Sequence, residues 1–383
     1  MLPKGWKRVP LGDCARFLSG NTPSKDRTDF WSGDFPWITA KDMKTLCLTS
    51  SGLGLTESGK KAAAIAPPLS VLVLTRGMTL LKDLPVGLAM QEVGFNQDVK
   101  ALIAKPDVDP WFLAYQLLAN KAEILDLVDT AGHGTGRLDT ELLKAYEIPI
   151  APMSEQHAAA RIIQTWDEAI AATEKLLANS RRQKLAIAKK LFNPHKQDKA
   201  GIYEHLVIRQ LVDVQYGRSP MEAKKVLGKY PIVGTGGRIG LSGRFLVDQP
   251  SVVIGRKGSI STPQFFESHF WPIDTTFYCL PKESCDLKWF YHQLCQIDLS
   301  RYNESSGLPS LSRSTVEEIS LLVPSLGEQK KIATLLDSLD YETKLVDRQL
   351  TLMRTEKTAL MSQLLTGKRR VRLPEAPATE AAP

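Results

Sequence analysis

Cysteine is scarce and scattered. The five cysteines, Cys14, Cys47, Cys279, Cys285 and Cys295, make an odd set without a CxxC pair. That argues against both a disulfide framework and a zinc site and points to a reducing cytoplasm. Long apolar runs are missing as well. The start, Met1-Leu-Pro-Lys-Gly-Trp-Lys-Arg, is basic but has no apolar core of signal-peptide length, and no stretch approaches the ~18 apolar residues a membrane span needs. Catalytic signatures are absent too: there is no GxxxxGK(S/T) phosphate loop, no HExxH metal pair and no GxSxG nucleophile elbow. Gly234-Thr-Gly-Gly-Arg-Ile-Gly240 has the wrong spacing for a dinucleotide loop and reads as a turn. Asn193-Pro194-His195 resembles the Asn-Pro start of an amino-methyltransferase motif but lacks the aromatic residue that would stack on a flipped base. Pro194 reads instead as the end of a helix. The six histidines show no ligand spacing, so no residue receives a catalytic or metal-binding role.

What is present is bulk, charge and repetition. A chain of 383 residues with 43% hydrophobic content can build more than one core, and two domains are expected. A formal net charge of +7 favours a polyanionic partner. The internal repeat is the most informative feature. Gly134, Leu138, Glu155, Gln156, Asp167, Leu177, Arg181, Lys184 and Leu191 recur, each 173 residues on, as Gly307, Leu311, Glu328, Gln329, Asp340, Leu350, Arg354, Lys357 and Leu364. Upstream the offset grows: Trp111-Phe112 answers Trp289-Phe290 at 178, Arg76 answers Arg256 at 180, Phe35-Pro-Trp-Ile answers Tyr230-Pro-Ile-Val at 195, and Gly20-x-x-Pro23 answers Gly217-x-x-Pro220 at 197. This is the pattern of a tandem duplication whose second copy has lost loop residues.

Each copy reads as a mixed globular part followed by a long helix. Val71–Thr75, Val99–Ile103, Pro231–Gly234 and Ser251–Gly255 have the apolar, turn-bounded character of strands, while Trp111–Leu127 and Lys288–Leu294 are helical, so each half is α+β. Helix starts are expected near Ser154 and Gly327, with Glu155 and Glu328 in the first turn. A seven-residue apolar seam follows: Leu336, Leu339, Val346, Leu350 and Leu364 in the second helix, and Ile163, Trp166, Ile170, Leu177 and Leu191 in the first. Lys184 and Lys357 fall at equivalent seam positions, where they either fix register or snorkel outward.

Glu147-Ile-Pro-Ile-Ala-Pro-Met-Ser-Glu-Gln156 and Leu321-Leu-Val-Pro-Ser-Leu-Gly-Glu-Gln-Lys-Lys-Ile332 resemble the two conserved regions of Type I restriction-modification specificity subunits, and Leu360-Met-Ser-Gln-Leu-Leu-Thr-Gly-Lys-Arg-Arg-Val371 is similar to the usual end of the family's second helix. Phe35-Pro-Trp-Ile-Thr-Ala-Lys-Asp42 and Tyr230-Pro-Ile-Val-Gly-Thr-Gly-Gly237 fit its target-recognition domains. The resemblance implies two tandem target-recognition domains, residues 1–150 and 194–324, held by two antiparallel coiled-coil helices, 151–193 and 325–367, with a Pro/Ala-rich disordered tail over 368–383. It implies sequence-specific recognition of a bipartite, asymmetric duplex DNA target by a non-catalytic subunit. Its partners would be two modification subunits, docked largely on the long helices, and restriction subunits. S-adenosylmethionine, ATP and Mg would belong to those partners and not to this chain. Helices of roughly 38 residues at ~1.5 Å each run ~57 Å, about the rise of ~17 base pairs, and would act as a ruler. The competing expectation is a coiled-coil adaptor with little sequence preference of its own.

Base reading calls for Arg or Lys toward guanine, with other cations on phosphates. The candidates in Gly-, Thr- and Asp-rich loops are Lys25, Arg27, Thr39, Lys41, Arg76, Lys82 and Arg137 in the first half, and Arg218, Arg238, Arg244, Arg256, Lys257 and Arg301 in the second. Arg76 and Arg256 lead because both follow a strand. Trp31, Trp37, Trp271 and Trp289 read as core packing rather than stacking platforms.

Overall fold

Four apolar residues in a row with no polar alternation make a strand that needs cover on both faces. Val71–Leu74 is such a strand, with all four side chains fully buried. It is the middle of a five-stranded sheet ordered Ala15–Ser19, Val99–Ala104, Val71–Leu74, Val86–Ala89 and Cys47–Leu48. Neighbours are antiparallel except Cys47–Leu48, which runs parallel to Val86–Ala89. The computed structural model describes residues 2–131, 134–193, 203–219, 221 and 228–371. His133, Pro194, His195, Pro220 and the tail from Arg372 onward lie outside the described residues.

The chain divides into two compact units, one of residues 1–172 and 350–383, the other of residues 173–349. The first contains the sheet above, the parallel pairing of Trp31–Ile38 with Val93–Phe95, and the three-stranded ribbon of Val128–Ala131, Thr135–Leu138 and Arg76–Gly77. The second repeats the plan, with fewer strands among the described residues: Val212–Tyr216, Thr276–Pro281, Ser251–Gly255 and Gln264–Phe266 form its main sheet, and Tyr230–Gly234 pairs in parallel with Trp271–Pro272.

The long helices are Met153–Phe192 and Leu326–Leu364, each starting one residue before the expected position. Both units draw on both helices. The core of the first unit takes Ala159, Ala160 and Ile163 from one helix and Leu364 from the other, while that of the second takes Ala188 and Phe192 together with Ile332, Ala333 and Leu336. Within each unit the two segments run antiparallel: Glu155 meets Arg370 and Asp167 meets Lys357 in the first, and Arg181 meets Asp347 while Lys184 meets Asp340 in the second. The α+β class, the antiparallel helix pair and the two-fold internal repeat expected from the sequence are all present.

One hydrogen-bond arrangement occurs twice. Gln156, 1% exposed, accepts from the backbone N–H of Asp109 (2.9 Å) and donates to the carbonyls of Asp107 (3.0 Å) and Ala151 (2.9 Å). Gln329, also 1% exposed, accepts from Asp286 N–H (2.8 Å) and donates to the carbonyls of Ser284 (3.1 Å) and Pro324 (3.0 Å). Asp109 and Asp286 each cap a helix in turn, accepting from Phe112 N–H and Trp289 N–H. These caps equate Phe112 with Trp289, not Trp111 with Trp289 as matching by residue type suggests. Phe112 and Trp289 are accordingly fully buried.

Two local expectations change. The helix read over Trp111–Leu127 is two helices, Pro110–Ala119 and Lys121–Leu125. Asn120 breaks it by turning its side-chain amide back onto the carbonyl of Gln116, the local competition that keeps Asn out of helix interiors. The glycine-rich 234–240 segment is a hairpin: Tyr230–Gly234 and Gly237–Ser242 pair, and only Thr235 and Gly236 form the turn, with Gly237 at φ +122°.

Next to Gln156, Glu155 accepts a hydrogen bond from Trp6 Nε1 (3.2 Å) and is paired with Arg370, which pins the segment after the second long helix. The Arg370 guanidinium holds the Glu155 carboxyl below the usual glutamate range. This contribution is therefore present above the ordinary glutamate pKa and lost as pH falls through the depressed one. Replacing Gln156 or Gln329 by Leu strands one backbone N–H and two carbonyls, and is expected to cost about 1–3 kcal/mol. A lower urea midpoint for the affected unit is the readout, and an unchanged midpoint refutes the importance of the lock.

Candidate nucleic-acid interface

Loops gather where the strands of each sheet end. In the first unit the N–H groups of Thr75 and Arg76 both donate to the carbonyl of Asp98, Leu138 N–H donates to the carbonyl of Thr75, and Thr22 Oγ1 donates to Gln97 Oε1 (2.6 Å). The result is a cleft of about 430 Å³ lined by Arg76, Lys100 and Arg137 together with Gln97, Asp98 and Asp139. Arg76 and Arg137 are direct cross-strand partners and both are exposed.

The other first-half candidates do not line this cleft. Lys25, Lys41 and Lys82 are exposed on separate turns. Arg27 forms two bonds with Asp29 (2.8 and 2.7 Å), which raise its pKa and lower that of Asp29, and its guanidinium lies 4.5 Å from the Phe30 ring centre. Thr39 spends both its N–H and its hydroxyl on Asp42 Oδ2, which closes its own loop. Trp37 and Trp271 are buried, and Trp31 donates Nε1–H to the carbonyl of Ser24.

In the second unit the N–H groups of Arg256 and Lys257 both donate to the carbonyl of Thr275, Leu311 N–H donates to the carbonyl of Arg256, and Arg218 bridges to Ile273. Gln264 Nε2 donates to the carbonyls of Gly234 and Thr235, tying in the hairpin that carries Arg238. Arg256 itself is half-buried, with Nη1 donating to the carbonyl of Asp274 (3.0 Å) and its guanidinium 5.3 Å from the Tyr216 ring centre. Arg244 belongs to another loop and Arg301 to the short 3-10 helix Leu299–Tyr302, where it pairs with Asp298 at 3.5 Å.

The paired donors to Asp98 and Thr275 correct the sequence register. Thr75 corresponds to Arg256, and Arg76 to Lys257. Lys257 bridges to Ser310, as Arg76 pairs with Arg137, and positions 137 and 310 keep the 173-residue offset. Matching arginine to arginine had inserted a gap that the hydrogen bonds do not have. Lys100 was overlooked. Its signal was a lone charge in the apolar strand Val99–Ala104, and its Nζ donates to Ser19 Oγ (2.7 Å).

Along the seam, Ile163, Leu177, Leu336, Leu350 and Leu364 are buried, and Trp166, Ile170, Leu191, Leu339 and Val346 are half-buried. Lys184 and Lys357 are half-buried too and point to carboxylates: Lys184 to Asp340, Lys357 to Asp167. The repeat that carries residue 167 onto 340 and 184 onto 357 turns one ion pair into the other. Tyr115 OH also donates to Asp167 (2.8 Å), and burial together with that bond pushes its pKa up. At the matching point of the second unit, His292 Nε2 lies 2.9 Å from Asp337 Oδ1, and burial lowers the histidine pKa.

Residues 3–179 and 203–352 match the sequence model of a family described as the Type I restriction modification DNA specificity domain. Among curated proteins, the chain is 25% identical over 361 residues to the EcoprrI specificity subunit of Escherichia coli, covering 88% of each chain. It is 21% identical over 425 residues to the MjaVIII specificity subunit of Methanocaldococcus jannaschii, covering 97% of this chain and 94% of that protein. The match to the Escherichia coli EcoR124I/EcoR124II specificity subunit is 28% over 165 residues and spans only 40% of that relative. In fold, the chain is similar to the S subunit from M. genitalium, with a TM-score of 0.66 at 18% identity over 95% of this chain and 96% of that one.

The Lys184→Leu, Lys357→Leu double variant leaves Asp340 and Asp167 facing apolar groups. It is expected to lower the melting temperature by about 2–4 °C per pair, the shift that ~1 kcal/mol produces in a unit of this size. Adding Asp167→Leu and Asp340→Leu should return most of the loss. An unchanged melting temperature in the double variant would mean that the lysines contribute nothing to helix pairing.

Proposed function

The chain belongs to the Type I restriction modification DNA specificity domain family, and from that premise we propose that each unit reads one half of a split duplex DNA target while partner subunits carry out the chemistry. The observation that carries this reading is the loop cluster. The same backbone hydrogen bonds present a cation in each unit, Arg76 or Lys257, but set it beside a different neighbour, Arg137 or Ser310. Equivalent scaffolds with unlike side chains suit two unlike half-sites. The net charge of +7 supports binding to a polyanion.

The partners in this reading are two modification subunits, which bind S-adenosylmethionine and methylate adenine, and restriction subunits that use ATP and Mg. The long helices are the docking surface for the modification subunits. They expose Leu176, Leu185, Tyr341 and Leu345, apolar side chains that a partner would cover. Among the described residues, no helix is long and apolar enough to cross a membrane, and no group of three or more potential metal ligands occurs.

Co-expression with the cognate modification subunit in an unmethylated host, followed by genome-wide mapping of methylated adenines, tests the proposal. The expected result is a two-part motif with an unspecified gap that disappears when this chain is omitted. A stable, active methyltransferase complex that yields no such motif would make the chain a coiled-coil adaptor instead.

A further inference from the structure

The ribbon of the first unit sets three charged residues in one row. Asp129 on Val128–Ala131 faces Arg137 on Thr135–Leu138, and Arg137 faces Arg76 on Arg76–Gly77. Cross-strand partners point to the same face with their Cβ atoms about 5 Å apart, and like charges placed this way are destabilising. All three residues are exposed. The carboxylate nearest Arg137 is Asp139, at 3.9 Å, and Asp139 is already occupied in capping the helix Thr140–Ala145. Among the described residues neither Arg76 nor Asp129 has an ion pair. The fold therefore holds two guanidinium groups side by side, with only the 3.9 Å pairing of Arg137 to Asp139 as an ion pair between them and a carboxylate.

The row's own chemistry says what could complete it. Asp98 and Asp139 line the cleft beside the arginines, and Asp129 continues the row, so a phosphate would meet carboxylates as well as cations. A G·C pair offers what the row lacks: in the major groove it presents the guanine N7 and O6 acceptors next to the cytosine N4 donor, and that groove admits a β-ribbon. Building on the duplex-reading role proposed above, we infer that this ribbon is a base-reading element of the first unit. Arg137 donates to N7 and O6 of one guanine, Asp129 accepts from N4 of the paired cytosine, and repulsion from Arg76 keeps the Arg137 side chain extended toward the groove. The second unit, with Lys257 and Ser310 at the matching positions, cannot make this contact.

The test compares methylation motifs set by the wild-type chain, Arg137→Ser and Asp129→Asn, each in complex with the modification subunit. Arg137 is exposed, and serine is the residue that the second unit carries at that point. Arg137→Ser is expected to reduce discrimination at one G·C position of one half-site on the order of tenfold, leaving the other half-site intact. Asp129→Asn should weaken the same position and no other. A motif unchanged in Arg137→Ser, or effects of the two variants at different positions, would overturn the inference. So would uniformly weaker binding with the salt slope reduced by about one, the mark of a phosphate contact. If the wild-type chain itself sets no motif, the recognition role fails first, and this assignment falls with it.

Discussion

A buried primary amide has two donors and an acceptor to satisfy, and in this protein one glutamine in each unit satisfies them entirely with backbone. Gln156 and Gln329 stand in the first turn of the long helices. From there they hold the N–H of the residue that caps a core helix and two carbonyls, one in the segment before that helix and one just before the long helix itself. Leaving such groups unpaired costs more than a typical hydrogen bond contributes. The exit of each long helix from its globular part is thus tied to the start of the helix that packs against the sheet. The apolar seam, the lysine–aspartate pairs and the loop clusters are all arranged on that frame.

The duplication is preserved most strictly where polar groups are buried or half-buried. Gln156 with Gln329 and Asp109 with Asp286 keep their partners bond for bond, and Asp167 with Asp340 and Lys184 with Lys357 exchange roles in two equivalent ion pairs. Replacing one member of such a set leaves the others unsatisfied, so these residues are constrained together. Divergence appears at the exposed ends of the strands. There the exposed Arg137 of the first unit is answered by Ser310 in the second. Some interior positions have also separated: Oε1 of Gln116 accepts from Asn120 Nδ2 (3.3 Å), whereas Oε1 of its counterpart Gln293 has no partner among the described residues.

Much of this was legible in the chain itself. The ungapped 173-residue offset, the apolar runs such as Val71–Leu74 and the heptad seam determined that there are two copies, which segments are strands and where the long helices lie, because apolar periodicity and helix capping act over a few residues. Tertiary structure decided the rest. It placed Arg76 opposite Arg137 and brought Lys100 and Asp129 beside them, pairings between strands that no local pattern encodes. It also moved the correspondence of Arg76 from Arg256 to Lys257, and that of Trp289 from Trp111 to Phe112. The sequence compares side chains, but a register is set by backbone hydrogen bonds to Asp98 and Thr275 and by the caps at Asp109 and Asp286, and those partners meet only when the chain has folded.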